Sequence, residues 1–231
     1  MNILCTICVR KGSKGIKNKN LIKLNNKPLV SHALDQAKKV KIFDKIVVST
    51  DSNQAIKLSK KKNIDIFFKR SNLLAGDKTG KVPVIRDALK RSEKYYKKKF
   101  DIIFDLDVSS PLRKDVDIKK ALNKFLKEDS NNLITGCIAR KNPYFNMIEI
   151  KDKAVSLSKN IDKKILSRQQ SPKVFDMNAS IYIWKRTYLL KTDNLFSKKT
   201  SFYEMPFNRS VDIDDQDDLS IVKLFLKNEK K

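Results

Sequence analysis

The chain has 231 residues, 40% of them hydrophobic and 33% charged, and 51 Lys and Arg against 26 Asp and Glu give a formal charge of +25. That hydrophobic share buries a core and excludes global disorder, and no run approaches the roughly 18 apolar residues of a membrane helix. His32 is the only histidine, which excludes multi-histidine metal sites and disfavours histidine catalysis.

Taken in chain order, strands and helices alternate. Ile3–Val9 is an apolar, β-branched run with no basic segment before it, so it predicts a buried strand and not a signal peptide. A Gly-, Lys- and Asn-rich loop follows from Arg10 to Asn20. Pro28–Val40 has helical spacing through Leu29, Ala33, Leu34 and Ala37. Lys45–Thr50 predicts a second strand, with Asp51-Ser52 capping a helix that ends near Lys61, and Ile64–Phe68 a third strand. Val82–Tyr96 predicts a helix, Asp101–Val108 a strand, Val116–Leu126 a helix and Asn132–Ala139 a strand. The period then changes: Tyr144–Ser158 reads as short antiparallel strands turning at Lys151-Asp152-Lys153, and Lys159–Gln170 as a loop. Met177–Trp184 returns as a strand and Ser220–Leu226 closes with a helix. The pattern implies an α/β fold with a mostly parallel sheet and right-handed crossovers. We expect one domain over 1–231 with a β-rich insertion near 140–170. An inserted hairpin cannot bury its own face, so a homodimer is expected.

The basic charge is what a nucleic-acid binder would show. However, 42 of the 51 basic residues are Lys, scattered among abundant Ile and Asn, with no basic block interleaved with aromatics. Clusters such as Lys60-Lys61-Lys62 and Lys97-Lys98-Lys99 fall where helices end, which suits the helix dipole. Compositional drift accounts for the excess better than nucleic acid does. Cys5, Cys8 and Cys137 are an odd number of thiols in apolar segments, as in a reduced, cytoplasmic protein.

Two segments carry chemistry. Arg10-Lys11-Gly12-Ser13-Lys14-Gly15 through Lys19-Asn20-Leu21 follows a strand directly, at the carboxyl edge where parallel sheets bind ligands. Its glycines allow close backbone approach, and Arg10, Lys14 and Lys19 can neutralise a polyphosphate. It has neither the P-loop frame nor the dinucleotide fingerprint. An ordinary solvated loop is the competing reading, and its position after the first strand argues against that. In Ser210-Val211-Asp212-Ile213-Asp214, the two aspartates alternate with apolar residues. They therefore project to one side, as a pair of hard oxygen ligands for a magnesium that bridges phosphates. Asp215, Asp217 and Asp218 read as caps of the last helix, and capping could account for the whole run.

These residues, with Ser49-Thr50-Asp51, Ser110-Pro111-Leu112-Arg113, Arg168-Gln169 and Asn178-Ala179-Ser180-Ile181-Tyr182, resemble the acylneuraminate cytidylyltransferases, the CMP-sialic acid synthetases. The motifs are colinear and span nearly the whole chain. The resemblance implies a Rossmann-like nucleotidyltransferase in which CTP and a nine-carbon 2-keto sugar acid give the CMP-sugar and pyrophosphate. It implies that Arg10, Ser13, Lys14, Asn20, Arg70, Thr79, Lys81 and Asp107 bind the nucleotide and that Lys19 and Arg168 are catalytic. It further implies that Asp176, Asn178 and Tyr182 contact the sugar, that Asp212 and Asp214 hold Mg2+, and that the insertion forms a dimer. The chemistry needs positioning and charge neutralisation more than a histidine. The proton acceptor stays open between Asp214 and a metal-bound water.

Two departures bear on the sugar. Asp107 stands where many sialate-activating members carry Gln, and Asp176 where some carry Arg. Together with Asn142-Pro143-Tyr144-Phe145 they look like the legionaminate-type branch, whose substrates are 5,7-diacetamido acids. Neutral drift is the alternative at both positions. Activation of an eight-carbon 2-keto acid is the rival enzyme reading, and a nucleic-acid-binding protein on the same scaffold the rival of another class.

Overall fold

Residues 1–12, 15–162 and 165–228 are described by a computed structural model. The elements are β1 (Ile3–Val9), β2 (Lys23–Leu24), β3 (Lys27–Pro28), α1 (Leu29–Lys39), β4 (Lys45–Thr50), α2 (Asn53–Lys61), α3 (Asn72–Ala75) and α4 (Lys81–Tyr96). There follow β5 (Ile102–Leu106), α5 (Asp115–Lys127), β6 (Asn132–Ile138), β7 (Ile148–Lys151), β8 (Ala154–Leu157), β9 (Phe175–Lys185), α6 (Arg186–Leu189), β10 (Thr200–Glu204), α7 (Phe207–Ser210) and α8 (Gln216–Asn228).

Six strands form the central sheet in the order β10-β6-β9-β5-β1-β4. β1 runs parallel to β4 and β5, β10 runs parallel to β6, and β9 lies antiparallel between β5 and β6. Because successive strand side chains alternate faces, each strand feeds two cores. On one side Ile3, Cys5, Ile7, Phe104 and Ile183 meet Leu34 of α1, Ile118 of α5 and Val222 of α8. On the other, Leu4, Ile103 and Trp184 meet Ile85 and Leu89 of α4. Burying each such side chain contributes about 1.5–3 kcal/mol, which is why near-continuous apolar strands read so clearly. Among the described residues, no helix is long and apolar enough to cross a membrane.

The alternation of strands and helices and the mostly parallel sheet match expectation, while the short elements β2, β3, α3, α6 and α7 are additions and three further segments differ. Ile64–Phe68 forms a single bridge, Val47 to Asp65, instead of a strand. Phe67 there stacks on Tyr95 with ring centroids 4.1 Å apart, so its ring packs on α4 and not on a sheet neighbour. The edge strand β10 is not among the strands expected from the sequence. Val211 is extended, and among the described residues Val211–Ile213 pairs with no strand.

The insertion is a two-stranded hairpin standing off the main sheet. Asp152 and Lys153 both have positive φ, 51° and 69°, the geometry of a tight primed turn. Ile150 pairs with Val155 and Ile148 with Leu157, so these apolar side chains share one face. That face is open: Ile150 is 73%, Val155 64% and Ile148 60% exposed.

Candidate active site

At the carboxyl ends of β1, β4 and β5 the chain leaves a cavity of about 540 Å³, lined by Arg10, Lys19, Asn20, Arg70, Thr79, Lys81, Asp107, Asp212 and Asp214. The two segments singled out from the sequence therefore face each other across one space. Ser13 and Lys14 lie outside the described residues. The first turn of α4, starting at Lys81, opens on the cavity, and its unsatisfied N–H groups favour an anion there.

The loop after β1 is held in several ways. The Asn20 amide donates to the Arg10 carbonyl at 3.0 Å, and the Arg10 guanidinium pairs with Asp77. Lys19 reaches across, donating to Asp214 Oδ1 at 2.8 Å and to the Ile213 carbonyl at 2.6 Å. The Ile213 N–H donates to the Ser109 carbonyl at 2.9 Å, tying the acidic segment to the loop after β5. Gly15 closes against this segment so tightly that a Cβ there would lie 2.0 Å from the Asp214 carbonyl oxygen.

The floor is a buried ionic cluster. Lys81 Nζ donates to Asp105, at 3.2 Å, and to Asp107, and lies 4.4 Å from the centroid of the Tyr182 ring. Asp105 is fully buried and also accepts from Thr6 Oγ1 at 2.8 Å. Asp107 accepts from the Ser109 N–H at 2.9 Å and its hydroxyl at 2.8 Å. Burial pushes the Asp107 carboxyl up, but Lys81 and Ser109 more than offset this and hold it at about 2. Beneath the loop, the Arg113 guanidinium donates to the Gln36 amide oxygen at 2.9 Å, to the Asp107 carbonyl at 3.2 Å and to the Ser180 carbonyl. Burial lowers this guanidinium to about 10. Arg70 is buried and donates to Ser49 Oγ at 3.1 Å and the Ser49 carbonyl at 2.6 Å, and the Thr79 hydroxyl donates to the Leu73 carbonyl at 2.8 Å.

Asp212 is half-buried, and its carboxyl is raised first by burial and then by the charge of Asp214. Two carboxylates facing one cavity, one of them raised by burial and by the charge of the other, are a donor set that a divalent cation suits. Among the described residues no group of three or more His, Cys, Asp or Glu could hold a metal alone. A cation held here would therefore complete its shell with water and phosphate oxygens.

The sugar-side expectations divide. Asp176 and Asn178 line a second cavity of about 250 Å³ that shares Asp212 with the first. The Asn178 amide is engaged inward, accepting from Thr135 Oγ1 at 2.6 Å and donating to Ser210 Oγ. Tyr182 lines neither cavity; its ring lies under Lys81. Arg168 lines neither cavity; its Nη2 donates to the Ala139 carbonyl at 2.7 Å. Asp105 and Arg113 were not singled out as site residues, though Asp105-Leu106-Asp107 carried the signal: residues two apart on a strand share a face.

A family profile described as cytidylyltransferase matches residues 4–229. The chain belongs to the cytidylyltransferase family. This cytidylyltransferase is 48% identical over 225 residues to post-translational flagellin modification protein B of Campylobacter coli, covering 97% of this chain and 95% of that one. It is 47% identical over 224 residues to the CMP-N,N'-diacetyllegionaminic acid synthase of Campylobacter jejuni, covering 97% and 94%. Among solved structures, CMP:2-keto-3-deoxy-manno-octonic acid synthetase complexed with CTP superposes with a TM-score of 0.71 at 14% identity, covering 99% of this chain and 100% of that one. That likeness shows the cytidylyltransferase fold.

Proposed function

We propose that this cytidylyltransferase activates a nonulosonic acid of the legionaminate type with CTP, releasing pyrophosphate. The observation that carries the reading is the 47% identity, over nearly all of both chains, to a CMP-N,N'-diacetyllegionaminic acid synthase. The cavity supports it, with cations and a helix N-terminus on one wall and paired aspartates on the other.

In this reaction the anomeric hydroxyl of the acid attacks the α-phosphorus of CTP. The bond from that phosphorus to the bridging oxygen breaks, and pyrophosphate leaves with the electron pair. The hydroxyl proton passes to the acidic segment, where Asp214 and a water held beside it are the two candidate acceptors. Arg10 and Lys19 neutralise the triphosphate, and α4 adds its N-terminal dipole. Asp107, fixed by Lys81 and Ser109, retains lone pairs that can accept from the cytosine amino group, and a carboxylate there disfavours the uracil carbonyl. Asp212 and Asp214 would hold a magnesium ion, which when bound supplies charge neutralisation at the triphosphate oxygens.

The open face of the β7–β8 hairpin supports a homodimer, because a two-stranded ribbon does not persist with its apolar face in water. Three unpaired cysteines suit a reducing, cytoplasmic setting. Pyrophosphate release with CTP, magnesium and a panel of nonulosonic acids tests the function. CTP over UTP, and N,N'-diacetyllegionaminate over N-acetylneuraminate, are each expected by about tenfold or more in kcat/KM. No release with any acid would overturn the reading; equal use of N-acetylneuraminate would overturn the choice of sugar.

A further inference from the structure

The second cavity meets the nucleotide-side cavity at Asp212, which lines both. Its charged lining is Asp176, Asp212, Asp218 and one cation, Arg140. Asp218 is committed to capping, accepting from the backbone N–H groups of Asp214 at 2.9 Å and Asp215 at 3.1 Å. The Arg140 guanidinium lies over the Phe207 ring, 5.6 Å from its centroid, and forms no ion pair with any described residue. A guanidinium resting over a ring keeps N–H donors for a planar carboxylate.

The proposed function sets what must enter this space. In a 2-keto sugar acid closed to its ring, the hydroxyl that attacks and the carboxylate are bonded to the same carbon. A hydroxyl delivered across the boundary at Asp212 therefore brings its carboxylate to that boundary as well. There a new negative charge meets a wall that already carries three aspartates, which is unfavourable in a partly dehydrated site unless a cation answers it. We infer that Arg140 binds the carboxylate of the sugar acid and sets the preference for an acid over a neutral sugar. The inference rests on the function proposed above. Arg168 then acts one step back: by donating to the carbonyl of Ala139 it holds the turn that presents Arg140.

The test compares two competitive inhibitors, 2-deoxy-N,N'-diacetyllegionaminate, which lacks the attacking hydroxyl, and its C1 carboxamide. Wild type should bind the acid about ten- to a hundredfold more tightly than the amide, the scale of one charge-assisted pair. In Arg140→Gln that ratio should fall to within about threefold, with the KM for CTP unchanged within about twofold; Arg140→Lys should recover part of it, as a point charge without the fork. Arg140 is exposed, so folding should persist, and a thermal melt checks this. An unchanged acid-to-amide ratio in Arg140→Gln overturns the inference while turnover by wild type leaves the function standing. A ratio lost in Arg168→Gln but kept in Arg140→Gln also overturns it. A wild type inert with CTP and every acid overturns the function and the inference together.

Discussion

Replacing Lys81 with Met keeps most of the side chain's length and removes its ammonium from between Asp105 and Asp107. The side chains of Asp105 and Asp107 are 0% and 21% exposed, so the substitution leaves two carboxylates facing each other with little water. Breaking a buried ion pair by deleting one partner costs about 3–5 kcal/mol. Lys81 is itself 27% exposed, which points to the lower end, about 3 kcal/mol. A partial check comes from Asp107, held near 2 against its ordinary 3.8, which alone corresponds to about 2 kcal/mol. The sign follows from the depressed value: this stability is fully present above pH 3.8 and is lost as pH falls through about 2. In the variant Asp107 loses the charge that holds its carboxyl down against burial, so the deficit should already shrink between pH 7.5 and 5. Urea unfolding reads this through the single, fully buried Trp184. For a chain of this length, about 3 kcal/mol corresponds to a fall of roughly 6–12 °C in Tm. A deficit below about 1 kcal/mol at pH 7.5, or one unchanged at pH 5, would refute the account of the cluster.

Asp212→Asn and Asp214→Asn should each raise the magnesium concentration needed for half-maximal turnover by about tenfold or more at little cost in Tm. Normal magnesium dependence with a lowered Tm would mean that the segment is only a cap. Lys19→Ala and Arg10→Ala should each lower kcat with CTP by about 10²–10³-fold, since each removes a preorganised cation from the cavity. Unchanged kinetics in both would remove the loop from the mechanism. By light scattering the protein should run near twice 26.7 kDa, and Ile150→Asp with Val155→Asp should give the monomer mass. A fully active, concentration-independent wild-type monomer would contradict the hairpin's assignment.

The central strands were legible because burial on both faces demands unbroken apolar runs such as Ile3–Val9, bounded by turn residues. The hairpin was legible because its period of two and its Lys151-Asp152-Lys153 turn are local signals. What was lost depends on partners far along the chain. Ile64–Phe68 has strand composition, but Phe67 finds Tyr95 of α4 in place of a sheet neighbour. Thr200–Glu204 sets Phe202 and Tyr203 between polar residues at the sheet edge, a run too short and too mixed to read as a buried strand. Within the site, the two segments that residue type singles out line one cavity, but residue type alone does not give each side chain's partners. Lys81 looks like any phosphate-binding lysine until Asp105 is seen beside it. Asn178 looks ligand-facing until Thr135 and Ser210 take both ends of its amide.

The contact between Gly15 and the Asp214 carbonyl has a bearing on how the site comes into being. The wall around Gly15 leaves the ribosome well before the wall around Asp214. The glycine-to-carbonyl contact, with Lys19 spanning the same gap, means that a nascent chain does not have this cavity enclosed until translation has passed residue 214. A stalled chain ending before that point would display an open, strongly basic loop with its acidic counterweight missing. Such a chain would attract polyanions without the acidic wall that the finished enzyme sets against them.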